Sequence, residues 1–158
     1  MKKIRISLTV NGTLYHLETN PNRTLLDLLR ENLGLTGVKD ACGGEGECGA
    51  CTVLLDGEPV NACLVLVGQT DAREVVTIEG LAKEDKLNNV QQAFIESGAV
   101  QCGFCIPGAV LATTALLHRH SQPNEDEIRE ALSGNLCRCT GYYKMVDAVH
   151  RAAGEVQS

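Results

Sequence analysis

Eight cysteines, falling by spacing into two sets of four, constrain this 158-residue chain more than any other feature. The first set is Cys42, Cys48, Cys51 and Cys63, spaced C-x5-C-x2-C-x11-C. The second is Cys102, Cys105, Cys137 and Cys139, spaced C-x2-C-x31-C-x-C. An even number of cysteines also suits disulfides, so compartment and spacing have to decide. Met1-Lys2-Lys3 precedes strict apolar–polar alternation over residues 4–10, which reads as a strand rather than the core of a signal peptide. No stretch approaches the roughly 20 apolar residues that span a bilayer. A cytoplasmic protein with no membrane insertion is expected. Thiols stay reduced there, and a disulfide framework does not persist.

In the first set three thiols crowd one loop, and the fourth is expected from a following strand. A plant-type ferredoxin holds a [2Fe–2S] cluster in this manner, with C-x4-C-x2-C and a distant fourth cysteine. Gly43, Gly44, Gly46 and Gly49 let the backbone wrap tightly, with its N–H groups aimed at sulfur. Such donors stabilise the more negative, reduced cluster and raise its potential. In the second set Cys105 directly precedes a helix from Pro107, about 13 residues or roughly 20 Å long. The chain turns at 120–124 and a shorter helix returns. Cys137 and Cys139 then arrive beside Cys102 and Cys105, ahead of a last helix near Gly141. Both pairs are expected at helix N-termini, whose partial positive charge favours thiolates.

Two structural zinc sites compete with two clusters, since four thiolates suit zinc. The C-x5-C-x2-C loop and the C-x-C pair differ from the usual paired C-x2-C knuckles, and metal content separates the two. Gly44-Glu45-Gly46-Glu47-Cys48-Gly49 matches G-x-G-x-x-G, but it lies in a cysteine loop followed by a strand, so it is rejected as a dinucleotide motif. The net charge of −6 comes with no basic stripe, so no nucleic-acid partner is expected. Aromatic residues make up 3% and Trp is absent, which leaves modest aliphatic cores of the kind that need a staple.

The rest of the pattern is an α+β half followed by an all-α half. Asn11-Gly12 joins strands over 3–10 and 13–19. Thr24 caps a leucine-rich helix with Leu25, Leu28, Leu29 and Leu33 on one face, and Gly34 ends it. Strands follow over 52–56, 60–67 and 75–78. Helices are expected over 88–97, 107–119, 125–133 and 141–153, the third capped by Asn124 with Glu127 in the capping-box position. The boundary falls near Gly80, giving segments 1–79 and 80–158. No residue set suits acid–base or nucleophilic chemistry, so no catalytic residue is expected. His16, His118, His120 and His150 are scattered and read as solvent-facing, and Tyr142 and Tyr143 as packing residues.

These stretches carry a resemblance. Gly46-Glu47-Cys48-Gly49-Ala50-Cys51-Thr52-Val53, Gln101-Cys102-Gly103-Phe104-Cys105 and Gly134-Asn135-Leu136-Cys137-Arg138-Cys139-Thr140-Gly141-Tyr142 resemble the small iron–sulfur subunit of the molybdenum hydroxylases, the xanthine dehydrogenase and aldehyde oxidoreductase family. The resemblance covers nearly the whole chain. It implies a β-grasp ferredoxin-like domain and then a four-helix domain, each with a [2Fe–2S] cluster. It implies a large molybdopterin-binding partner, a medium FAD-binding partner and a dimer of heterotrimers. Electrons would run from molybdenum through the second cysteine set, then the first, to the flavin, with Gln101 and Cys139 touching the pterin. A purine or another N-heterocycle such as nicotinate is the expected substrate class. A freestanding two-cluster ferredoxin, or the same subunit in an aldehyde, carbon monoxide or aromatic acyl-CoA enzyme, is the alternative. The chain departs from its relatives in the extra glycine at Gly43-Gly44, where they usually have four residues between the first two cysteines. It also has Ile106 where they often have Thr.

Overall fold

The computed structural model describes residues 2–84 and 86–154. Strands β1 (Ile4–Val10) and β2 (Thr13–Thr19) form an antiparallel hairpin with Val10 opposite Thr13. Asn11 and Gly12, at φ 49 and 79, make the left-handed turn that Asn-Gly favours. Every second residue of β1 from Ile6 to Val10 is buried, which fixes its register against the core. The Thr24 hydroxyl accepts the Asp27 N–H at 3.1 Å and starts helix α1 (Leu25–Asp27). α1 continues not as the regular helix expected but as a π turn, Leu28–Asn32, with Leu33 N–H reaching Leu28 O at 3.3 Å. Leu25, Leu28 and Leu29 still point inward.

β3 (Thr52–Leu55) and β4 (Glu58–Asn61) form a second hairpin through Asp56-Gly57, and β5 is Glu74–Val76. The sheet order is β2-β1-β5-β3-β4, with β1 and β5 parallel and the other pairs antiparallel. The strand expected over 60–67 stops at Asn61. There the Asn61 amide donates to Gly46 O at 2.8 Å and Leu64 N–H turns back to Asn61 O at 2.9 Å. Cys63 therefore sits in a tight turn and not on a strand. The strand expected over 75–78 ends at Val76, because Thr77 N–H goes to the Asn11 side chain at 2.9 Å.

The later part is helical: α2 (Asn89–Glu96), α3 (Ile106–Arg119), α4 (Glu125–Leu132) and α5 (Tyr143–Ala152). Capping boxes start α2 (Asn88 with Gln91) and α4 (Asn124 with Glu127). α5 begins later than expected, because Gly141 and Tyr142 are both left-handed, at φ 64 and 70. α3 is buried continuously from Gly108 to Leu116, with α2 and α4 packed along it and β3 on another side. Two aliphatic cores result, one between sheet and α1 and one among the helices, and Leu54, Leu111 and Ala115 pack where they meet. Among the described residues no helix is long and apolar enough to cross a membrane.

Candidate metal centres

The loop before β3 gathers the first cysteine set. Gly43 N–H is tied to the Asp40 carboxylate at 2.9 Å. Nothing lies where a side chain at Gly43 or Gly44 would project, so the extra residue is accommodated outward without crowding. The backbone N–H groups of Glu47 and Cys48, the Cys48 thiol and the Gly46 N–H face the Cys42 sulfur and bring its pKa down to about 6. Cys51 is buried, and desolvation pushes its thiol up to about 12, with Cys63 beside it and Cys48 within electrostatic range. The four thiols thus gather as Cys42 with Cys48 and Cys51 with Cys63.

The second set lies where α3 and α5 begin. Cys105 immediately precedes α3, and burial pushes its thiol up to about 12, with Cys137 its nearest thiol. Burial also pushes Cys137 upward, but the Thr140 hydroxyl and N–H and the Cys139 N–H outweigh it, and its pKa is lowered overall. Cys102 and Cys139 are exposed, with sulfurs 3.6 Å apart, and that contact raises the Cys139 thiol. The pairs here are Cys102 with Cys139 and Cys105 with Cys137. Gln101 is exposed beside Cys102. His16, His118 and His120 are exposed, whereas His150 is half-buried. Tyr142 packs against the helical core, but Tyr143 is 74% exposed and does not pack. Ile106 packs against that core too.

All eight cysteines are free thiols. A single tetrahedral zinc, with sulfur ligands at about 2.3 Å, needs its thiolates mutually within about 3.8 Å. Among the described residues no three His, Cys, Asp or Glu side chains are gathered to hold one ion. A [2Fe–2S] cluster asks instead for four thiolates divided over two irons. Two pairs in each set fit that demand.

The two sets are wired together by contacts that the spacing of the cysteines does not reveal. Leu136 N–H donates to Cys48 O at 2.9 Å. The buried Asn135 amide donates to Gly49 O at 3.0 Å and to Thr52 Oγ1 at 3.1 Å, while the Thr52 hydroxyl donates to Gly49 O at 2.7 Å. Gly49 has φ 67, and a side chain there would overlap the Gly134 carbonyl. A side chain at Gly108 would overlap Gly49 O. In the sequence Asn135 is marked by its place in the Gly134–Tyr142 stretch, two residues before Cys137, and not by its link to Gly49.

A mixed sheet and five helices presenting two groups of four thiols define a two-cluster iron–sulfur protein. A model of the 2Fe-2S iron-sulfur cluster binding domain matches residues 8–82, and one of the [2Fe-2S] binding domain matches residues 77–150. The nicotinate dehydrogenase small FeS subunit of Eubacterium barkeri is 53% identical over 152 residues, 96% of each chain. The xanthine dehydrogenase iron-sulfur-binding subunit of Escherichia coli O157:H7 is 50% identical over 151 residues, 92% of each chain. The crystal structure of quinoline 2-oxidoreductase from Pseudomonas putida 86 superposes with a TM-score of 0.92 at 43% identity, covering 98% of this chain and 96% of that one. The chain belongs to the family of small [2Fe–2S] subunits of the molybdenum hydroxylases. It is an electron-transfer iron–sulfur subunit of an oxidoreductase of that family.

Proposed function

We propose that Cys42, Cys48, Cys51 and Cys63 hold one [2Fe–2S] cluster and that Cys102, Cys105, Cys137 and Cys139 hold the other. Each cluster, when bound, takes up and gives up one electron. The observation that carries the reading is the join between the sets. Cys48 and Cys137 are connected by backbone and a single hydrogen bond, Leu136 N–H to Cys48 O. The residues of this chain bury Cys51, Cys63 and Cys105, surround Cys42 and Cys137 with donors, and hold the two loops in fixed register through Asn135.

In this reading residues 1–79 form a β-grasp ferredoxin-like domain and residues 80–158 a four-helix domain. The second set, of which Cys102 and Cys139 are exposed, faces the pterin of a large partner with Gln101 and Cys139, and the first set faces the flavin of a medium partner. The complex is a dimer of heterotrimers in the cytoplasm. Exposed apolar side chains beside both sets support obligate docking over a freestanding carrier: Leu64 next to Cys63, Phe104 next to Cys105 and Leu136 next to Cys137. The names of the nicotinate and xanthine dehydrogenase relatives support an N-heterocycle, nicotinate or a purine, as the substrate class.

Purification from the native host tests this. The chain is expected to copurify with a molybdenum-bearing chain and a flavin-bearing chain, and anaerobic nicotinate or xanthine to bleach its visible absorption. A chain that purifies alone sinks the subunit assignment. Bleaching only by aldehydes, carbon monoxide or acyl-CoA esters sinks the substrate class and leaves the subunit intact.

A further inference from the structure

Around Cys137 three residues close a ring of hydrogen bonds. Cys137 N–H donates to the Tyr142 phenol oxygen at 3.0 Å. Tyr142 N–H donates to Thr140 Oγ1 at 3.3 Å. Thr140 Oγ1 lies 3.1 Å from Cys137 Sγ. A threonine hydroxyl has one proton and two lone pairs. One lone pair takes the Tyr142 N–H, which orients the hydroxyl. A ligating Cys137 sulfur is a thiolate with no proton to give, so the hydroxyl donates and sulfur accepts. Thr140 N–H and Cys139 N–H add two longer contacts to the same sulfur, each at 3.4 Å.

The backbone bears a cost to keep this arrangement. Tyr142 sits at φ 70, where a residue with a side chain loses about 1–2 kcal/mol. Strain of that kind persists where the surroundings over-determine it, often at functional sites. Here the strained residue supplies two of the three links, its N–H and its phenol oxygen. The other sulfurs are treated differently. Cys102 and Cys139 face each other, and the three backbone N–H groups around Cys42 include no hydroxyl.

We propose that Thr140 sets the reduction potential of the cluster held by Cys102, Cys105, Cys137 and Cys139, by donating its hydroxyl proton to the Cys137 sulfur in an orientation that Tyr142 fixes. Thr140 is a positioning residue, since it acts through Cys137. The inference rests on the assignment of Cys137 as a ligand. Reduction adds one electron and no proton, and the added negative charge spreads onto the thiolate sulfurs. A donor to such a sulfur stabilises the reduced form more than the oxidised one, because bonds to a charged acceptor strengthen with its charge. The favoured sulfur belongs to the residue after Leu136, whose N–H bonds Cys48 O.

The test is an EPR-monitored redox titration of the intact complex carrying Thr140→Val, which replaces the hydroxyl by a methyl of similar size, and Thr140→Ser, which keeps it. In Thr140→Val the reduced-to-oxidised ratio of the second cluster at a fixed potential is expected to fall about tenfold, a downward shift of about 59 mV for one electron. The first cluster and Thr140→Ser are expected to stay near wild type. An unchanged second cluster in Thr140→Val, or an equal shift of both clusters, overturns the proposal. If neither Thr140→Val nor Thr140→Ala assembles the second cluster, the hydroxyl serves assembly and the tuning role is refuted. Cys137→Ala separates the two levels. Survival of both EPR signals there removes the ligand assignment and the proposal with it. Loss of one signal alongside an unmoved Thr140→Val potential removes the proposal alone.

Discussion

Asn135 joins the two cysteine loops through its side-chain amide, and its replacement gives a test that simple size arguments get backwards. Its side chain is 95% shielded, at 5% exposure, and its amide donates to Gly49 O and Thr52 Oγ1. Asn135→Ala deletes both bonds, but Gly49 O keeps the Thr52 hydroxyl and the Thr52 N–H at 3.1 Å, so no acceptor is stranded. At about 1 kcal/mol net for each bond, the loss is about 2 kcal/mol. For a chain of this size that is roughly 4–8 °C in apparent melting temperature. Asn135→Asp conserves volume yet aims a carboxylate oxygen at the Gly49 carbonyl, leaving a buried charge unpaired at a cost of about 3 kcal/mol or more. The isosteric variant is therefore expected to be the worse of the two. Its introduced carboxyl has a folded pKa raised above the ordinary value of about 3.9, so its cost is complete above that folded pKa and fades as pH falls. The assay is thermal bleaching of the cluster absorption, with both variants and wild type compared at pH 8 and pH 5. An alanine variant that melts with wild type, or an aspartate variant milder than alanine at pH 8, refutes the reasoning.

Gly44→Ala meets open space and only the left-handed cost of about 1–2 kcal/mol, so iron content is expected to survive, whereas Gly49→Ala overlaps the Gly134 carbonyl and is expected to lower it. Equal iron content in the two variants contradicts the packing at Gly49. In cluster-free chain, Cys42, with its pKa near 6, is mostly thiolate at pH 7, while Cys51 and Cys105, near 12, stay protonated. Thiolate is the reactive form, so iodoacetamide is expected to label Cys42 first, at a rate that drops below pH 6 as the proton returns. Earlier labelling of Cys51 or Cys105, read by peptide mass spectrometry, contradicts those environments.

Much of the architecture is written locally. Asn11-Gly12, the alternation in β1 and the Asn124–Glu127 box each specify their element through neighbours only a few residues away. The two cysteine sets are legible for the same reason, since thiols at short spacing in glycine-rich or helix-flanking segments have few other uses. What stayed hidden depends on contacts between distant segments. The apolar run in 60–67 reads as a strand, yet the Asn61 amide donates to Gly46 O, 15 residues back, and the chain turns. Asn135 is an ordinary polar residue in sequence, and only the fold brings it 86 residues back to Gly49. Tyr142 reads as a packing residue at the start of a helix. Its left-handed backbone, which delays α5, follows from the ring it closes with Cys137 and Thr140.

Iron, inorganic sulfide and zinc analysis of the freshly purified complex, paired with EPR of the dithionite-reduced protein, bears most directly on the two-cluster relay. About four irons and four sulfides per small subunit, with two distinct EPR signals, is the expected result, and Cys139→Ser is expected to remove one signal and spare the other. Zinc in place of iron, no sulfide, or loss of both signals in Cys139→Ser would contradict it.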